Sequence, residues 1–288
     1  MKAAPRATGP RPGDLTPLRI DEALVHKMLV SFLRDETAKA GMKRVVLGLS
    51  GGVDSAVVAA LAAEAFGAKQ VTALFTPYRA SAPVSRDHAR LIAEAFGLAL
   101  EEIDITPQID GYFARVPDAD RVRIGNKMAR ERKSIEYDRS WPDALVLGTS
   151  NKTELLLGYG TQFGDLASAL NPIGDLYKTQ LRELAVHLGV PKAVVEKAPS
   201  ADLWEGQTDE GELGFGYAEA DLVLYFLIDR RMRAEDLVAC GFDAGLVQKI
   251  RTRVRRSHFK RVMPLIAKVS LRTVGHDFLY PRDWEADS

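Results

Sequence analysis

Apolar residues recur with a helical period over "LRIDEALVHKMLVSFLRDETAKAG", where Leu18, Ile20, Leu24, Met28, Leu29 and Leu33 share one side and Gly41 supplies a stop. The pattern then becomes a short continuous apolar run, "VVLGL" from Val45, which reads as a buried strand, and returns to helical spacing through "VVAALAAEAFG". "VTALFTP" from Val71 and "LALEEIDIT" from Leu98 predict two further strands, separated by the helix "SRDHARLIAEAFG" with Gly97 at its end. A helical "GNKMARERKSIEYDRS" leads to another buried strand, "DALVLGTSN", which ends in a polar loop. Alternation of this kind predicts an α/β fold, a doubly wound parallel sheet with helices on both faces. Beyond Lys178 come a helix, "TQLRELAVHLGV", a long polar loop, "KAPSADLWEGQTDEGELGFG", and two or three more helices before the tail "RTVGHDFLYPRDW", so the C-terminal part is expected to be helical.

Composition narrows the class. A chain of 288 residues, 46% of them apolar, can bury a substantial core, and we expect one main domain over residues 18–288. Residues 1–17, rich in proline and glycine and poor in aliphatic side chains, read as a mobile tail. Basic and acidic residues balance at 39 each, which offers no general attraction to nucleic acid or to a membrane and favours small molecules as ligands. Cys240 is the single cysteine, so no internal disulfide exists, and neither a long apolar span nor a signal-peptide pattern is present; a cytoplasmic protein is expected.

The first strand runs into Ser-Gly-Gly-Val-Asp-Ser, residues 50–55, and then into a helix. Ligands of open α/β sheets bind beyond the carboxyl ends of the strands, where this turn falls. A helix N-terminus there offers free N–H groups and positive dipole character. Gly51 and Gly52 let the backbone approach an anion, and the hydroxyls of Ser50 and Ser55 can donate to phosphate oxygens. The string lacks the Gly-Lys-Ser/Thr ending of the kinase-type phosphate loop and is not Gly-x-Gly-x-x-Gly, which weakens ordinary ATPase and dehydrogenase readings. Asp54 would repel a phosphate unless a divalent cation stood between them, so Mg²⁺ is implied.

Further candidates follow the later strands. In "GTSNKTELLLGYGTQFGD", Glu154 can give a second carboxylate to the metal, or can be an ordinary first-turn acid, and Thr149 can hydrogen-bond an adenosine group. Lys178 opens a helix, where a cation gains nothing from the local dipole; a bound phosphate would repair that mismatch, and solvation is the bland alternative. The acidic loop from Lys197 reads as a lid, with Ser200 able to join the phosphate contacts. Arg130, Lys260 and Arg261 are candidates for dinucleotide phosphates, although a solvated face of a basic helix explains most charges between Lys249 and Arg261.

The Ser-Gly-Gly-Val-Asp-Ser turn resembles that of the ATP pyrophosphatases, which split ATP between its α- and β-phosphates. Six ordered blocks, "LGLSGGVDS", "GNKMARER", "GTSNKTELLLGYGTQFGD", "NPIGDLYKTQ", "KAPSADLWEGQTDE" and "FKR" with "DFLYPRDW", resemble the NAD synthetases over nearly the whole chain after residue 18. The resemblance implies an ammonia-dependent carbon-nitrogen ligase that amidates deamido-NAD to NAD through an adenylate, releasing AMP and pyrophosphate. It assigns ATP to Gly48, Leu49, Ser50, Gly51, Gly52, Val53, Asp54, Ser55, Thr149, Lys178 and Ser200, and Mg²⁺ to Asp54 and Glu154. Deamido-NAD goes to Arg130, Gln162, Phe259 and Lys260, and Asp165 takes part at the second metal or the ammonia. The catalytic set is Asp54, Lys178 and Asp165, in a homodimer.

Departures fall on the nicotinate side. Some members carry Lys where this chain has Gln162, or Asp where it has Ala169, and others join His directly to Lys-Arg where Phe259 intervenes. Glutamine-using relatives carry an added amidase domain with a Cys nucleophile, so free ammonia is expected, with a separate amidase partner left open. A tRNA-modifying ligase or thiolase of the same superfamily is disfavoured by the single Cys and the balanced charge. A non-catalytic nucleotide-binding module would hold ATP without releasing pyrophosphate.

Overall fold

In the computed structural model, which describes residues 9–200, 202–204, 206–275 and 277, β1 (Arg44–Gly48) pairs with β2 (Val71–Phe75), which pairs in turn with β3 (Leu100–Glu102). On its other side β1 pairs with β4 (Ala144–Val146), and all pairings are parallel, in the order β3-β2-β1-β4. Parallel strands buried on both faces need apolar residues at successive positions, and β1 supplies Val45, Val46 and Leu47, each with no exposed surface. Alternate side chains turn to opposite faces. Val45, Leu47, Ala73 and Phe75 enter one core with α1 (Glu22–Lys39) and α2 (Val53–Phe66). Val46 and Leu74 turn the other way and are also fully buried, while α5 (Arg121–Ser140) packs on β1 and β4. Between them in sequence lie α3 (Pro83–Ala95), which packs on β2 and β3, and α4 (Thr106–Phe113), which packs on α5.

The remainder is helical, as the periodicity predicts. After β4 come α6 (Lys152–Leu157), α7 (Lys178–His187), α8 (Lys192–Glu196) and α9 (Asp209–Leu213), then α10 (Tyr217–Leu224), α11 (Ala234–Ala239) and α12 (Ala244–Arg256). Leu181 and Leu184 of α7 and Val194 of α8 complete the sheet core. Leu222, Val247 and Ile250 of α10 and α12 form a second core with Tyr177 and Leu18.

Several elements differ from the sequence reading, among them α4 and α8, which it did not name, and α5, which starts at Arg121 behind the Asp120 cap. The first helix begins at Glu22 because the Asp21 carboxylate accepts from the Leu24 N–H at 2.9 Å and caps it; Leu18 instead ends a 3-10 turn, buried, with its carbonyl accepting from Gln180 Nε2 at 3.0 Å. The third strand is shorter than the apolar run, because Leu98 still belongs to the helix-ending turn and donates to the Ala93 carbonyl at 2.8 Å. The long polar loop contains α9, whose first-turn acids Asp209, Glu210 and Glu212 suit a helix N-terminus. Of the expected N-terminal tail, residues 1–8 lie outside the described residues, as do 278–288 of the C-terminal tail.

Strand order places the site. The chain moves from β1 to β2 and β3 on one side, then returns to β4 on the other, so the crevice beyond the ends of β1 and β4 is the topological switch point. Gly51 makes the tight exit from β1: its φ is +77°, and a Cβ there would lie 2.3 Å from the Ser85 carbonyl oxygen of α3. Gly51→Ala is expected to destabilise the fold by about 2–4 kcal/mol, from left-handed strain and the clash together. Gly52→Ala, whose Cβ meets Ser50 Oγ at 3.4 Å, is expected to cost less than about 1 kcal/mol. Urea denaturation of both variants tests the contrast; equal losses would refute it.

Candidate active site

A cavity of about 440 Å³ opens at the switch point. It is lined by Gly48, Leu49, Ser50, Gly52, Val53, Asp54 and Ser55 from the turn after β1, and by Thr149 and Glu154 from the loop and helix after β4. Lys178, Ser200, Asp165 and Lys260 reach the same space. No side chain caps α2, so its first N–H groups remain for a ligand. The two serines brace the turn: Ser50 Oγ lies 3.1 Å from Ser55 Oγ, which donates to the Gly52 carbonyl at 3.0 Å.

Lys178, only 2% exposed, is the opposite of a solvated lysine. Its ammonium pairs with Asp54 and lies 3.5 Å from Glu154 Oε1, so three elements meet on one cation. The mismatch of a cation at a helix N-terminus is therefore repaired by protein carboxylates. Burial opposes the charge on Lys178, but Asp54 and Glu154 outweigh it and raise its pKa. One ammonium cannot neutralise two carboxylates. Burial, together with the Asp54 charge, pushes Glu154 up to about 8, against the pull of Lys178.

Neighbouring residues hold this cluster in place. Asn151 caps α6 by accepting from Glu154 N–H at 2.9 Å, and its Nδ2 donates to Asp54 Oδ1 at 2.8 Å. Glu154 returns the cap by accepting from Asn151 N–H at 3.3 Å, so the first-turn explanation of this acid holds beside its place at the cavity. Asp221 of α10, fully buried, accepts from Thr153 Oγ1, from Thr179 N–H at 2.8 Å and from Thr179 Oγ1 at 2.9 Å. Thr153 Oγ1 in turn accepts from Lys178 N–H at 3.0 Å. Asp221 thus ties the starts of α6 and α7 together; burial raises its pKa to about 6, although these donors pull the other way.

The lid brings an acid that the sequence did not single out. Asp209 accepts from Tyr159 and Tyr217 hydroxyls, each at 3.0 Å, and its N–H donates to the Pro199 carbonyl at 3.0 Å. The Tyr217 ring, at the start of α10, lies 5.3 Å from Lys178 Nζ, so the residue that Asp209 holds also faces the central cation. A buried pair, Lys133 and Glu136 at 2.6 Å, walls the cavity under Gly48. Neither was legible, because each needs a fold contact to give it meaning.

The dinucleotide candidates are joined but divided in placement. Arg130 Nε donates to the Gln162 carbonyl at 3.2 Å, and Gln162 Nε2 donates to the Phe259 carbonyl at 3.3 Å. These three do not line the cavity, whereas Lys260 does. Lys260 Nζ is engaged by the carbonyls of Gly158 and Gly160, at 2.8 and 2.7 Å, and Arg261 bonds the carbonyls of Leu155 and Leu156. Asp165 opens to the cavity and accepts from the Thr161 N–H at 3.0 Å.

The donor set fits Mg²⁺. Two acids that share a single ammonium, one of them holding its proton for want of a counter-charge, suit a hard cation, and Mg²⁺ commonly takes one or two carboxylates with substrate phosphates. Among the described residues no cluster of three or more His, Cys, Asp or Glu side chains forms a complete metal cage.

Residues 25–264 match the family model described as NAD synthase. An NH(3)-dependent NAD(+) synthetase of Trichlorobacter lovleyi is 59% identical over 268 residues, 93% of this chain and 98% of that protein. Among solved structures, an NMN synthetase from Francisella tularensis superposes with TM-score 0.76 at 32% identity, over 86% of this chain and 99% of its own. An NH3-dependent NAD synthetase from Campylobacter jejuni, in complex with the nitrate ion, gives 0.74 at 33%, over 87% and 100%.

The missing counter-charge at Glu154 makes unliganded stability depend on pH. Below its usual 4.5 Glu154 is protonated in both the folded and the unfolded state; above that the unfolded chain ionises first, and the penalty on the fold grows until pH passes about 8. Urea denaturation from pH 6 to 9 should show a falling stability, steepest at up to about 1 kcal/mol per pH unit, and Glu154→Gln should flatten it. Parallel profiles in the two proteins would refute this.

Proposed function

The chain belongs to the NAD synthase family, and from that premise we propose that it amidates deamido-NAD to NAD with ATP and free ammonia. The observation that carries the reading is the convergence of the Ser-Gly-Gly-Val-Asp-Ser turn, Asp54, Glu154 and Lys178 on one cavity, in a chain spanning 98% of an ammonia-dependent relative.

In the proposed reaction a carboxylate oxygen of the nicotinate ring bonds to the α-phosphorus of ATP. The bond from that phosphorus to the bridging oxygen breaks, and its electron pair leaves with pyrophosphate. Ammonia then forms a bond to the carbonyl carbon, AMP departs, and the surplus proton passes to a base. The uncapped N–H groups of α2 and the hydroxyls of Ser50 and Ser55 bind phosphate oxygens, and Thr149 the adenosine. Asp54 and Glu154 would hold Mg²⁺, which when bound neutralises phosphate charge. Lys178 fixes the two carboxylates at one spacing and is close enough to meet developing negative charge. Arg130, Gln162, Phe259 and Lys260 form the dinucleotide side, and Asp165 faces the ammonia. The lid, with Ser200 and Asp209, keeps water from the adenylate.

We further assign the protein to the cytoplasm, as one domain over residues 18–288, and to a homodimer. The exposed apolar side chains of Met263, Leu265, Val269 and Leu271 support a subunit contact. Among the described residues no helix is long and apolar enough to cross a membrane. The fold match to an NMN synthetase makes nicotinic acid mononucleotide the competing substrate.

Purified protein with ATP and Mg²⁺ should therefore be offered deamido-NAD or the mononucleotide, each with ammonium or glutamine. We expect NAD and AMP in equal amounts from deamido-NAD and ammonium, and little product from glutamine. Asp54→Asn should lower turnover by about 100-fold or more with the fold retained by circular dichroism. Preferred amidation of the mononucleotide, or wild-type turnover in a folded Asp54→Asn, would overturn the respective claim.

A further inference from the structure

The cavity's cations differ in what already neutralises them. Arg253 lines it with a buried Nε that has no hydrogen-bond partner among the described residues, and the other five differ in their partners. Lys178 is shared by Asp54 and Glu154, and Lys133 is paired with Glu136. Lys260 is bonded to two backbone carbonyls, and Arg132 Nε donates to the Thr76 carbonyl at 2.9 Å. Lys197, which directly follows α8, is half-buried and lines the same cavity, but its ammonium has a neutral partner: Ser85 Oγ at 3.0 Å. Among the described residues no carboxylate comes within ion-pair distance of it. Asp202 acts on it only through longer-range attraction, and burial holds its pKa below the ordinary lysine value.

Ser85 connects this cation to the phosphate turn. Its carbonyl is the atom that a Cβ at Gly51 would strike, and His88, one turn along α3, has its pKa lowered by burial and by the Lys197 charge. Lys197 therefore stands beside the turn, across α3, with a charge that nothing nearby cancels. Burial of an ammonium against a hydroxyl alone is unfavourable, and an anion entering the cavity would remove that cost.

Resting on the ATP-dependent reading above, we propose that Lys197 is a further phosphate-facing cation of this site, beside Lys178, binding the β- and γ-phosphates of ATP and the pyrophosphate that leaves. Lys178 then organises the carboxylates, and Lys197 answers the charge that moves onto the leaving group. The division follows from compensation: the first ammonium is already claimed by two acids, and the second is free to pair.

Isothermal titration calorimetry with ATP, pyrophosphate and AMP, each with Mg²⁺, separates the roles. In Lys197→Met, which keeps the length and apolar stem, pyrophosphate and ATP affinity should fall roughly 10- to 100-fold with AMP affinity unchanged. Lys197→Arg should recover part of the loss. AMP binding is also the control for folding. Equal losses for AMP and pyrophosphate, or no loss for either, would overturn the assignment. A wild type that binds pyrophosphate more tightly than Lys197→Met yet forms no NAD would overturn the reaction while supporting Lys197; NAD formation with unchanged pyrophosphate affinity in the variant would do the reverse.

Discussion

Everything at this site depends on one ammonium being shared by two acids. Asp54 arrives from the turn after β1, Glu154 from the helix after β4 and Lys178 from the start of α7, and the single ammonium holds both acids in the interior. The pairing satisfies Lys178 and leaves Glu154 without a counter-charge of its own, so that in the absence of a cation it keeps its proton up to about pH 8. A site arranged so is stable enough to form without ligand and still has a reason to take up cations. The sheet supplies the coincidence, since parallel strands of adjacent register end together and their loops must share one crevice.

Support for this sharing is spread through the second half of the chain. Asp221 holds the hydroxyl of Thr153 and the backbone N–H of Thr179, so α10 fixes the directions from which Glu154 and Lys178 approach. Asp209 ties the lid's short helix to Tyr217, whose ring faces the same cation. The helical C-terminal part is thus more than an appendage to the sheet: its buried acids set where Glu154 and Lys178 stand. A fold with the same sheet and a different helical layer would present the phosphate turn with nothing to oppose it.

Sequence reading reached most of this, and its limits have a physical pattern. The β-α-β rhythm, the turn at residues 50–55 and the acids Asp54 and Glu154 are local signals, written in periodicity and in residue types at fixed spacing. Lys178 was legible as an anomaly, a cation at the wrong end of a helix, but its partners were not, because both are distant in sequence. Lys197 lay inside the quoted lid segment without distinction, since a lysine's meaning depends on which neighbours fail to neutralise it. Arg130, Gln162 and Phe259 do come together, but outside the cavity wall, while Lys260, expected at the dinucleotide phosphates, donates to the carbonyls of Gly158 and Gly160. The short α9 was hidden because five residues carry too little periodicity to be seen.

Asn151 illustrates how narrowly such a centre constrains drift. Its oxygen must accept from a helix N–H while its nitrogen donates to Asp54. An aspartate at 151 keeps the first bond and turns the second into repulsion; a serine keeps the cap with a side chain one functional group poorer. Neutral evolution at 151 is therefore tied to position 54, 97 residues away, and the two are expected to change together or not at all.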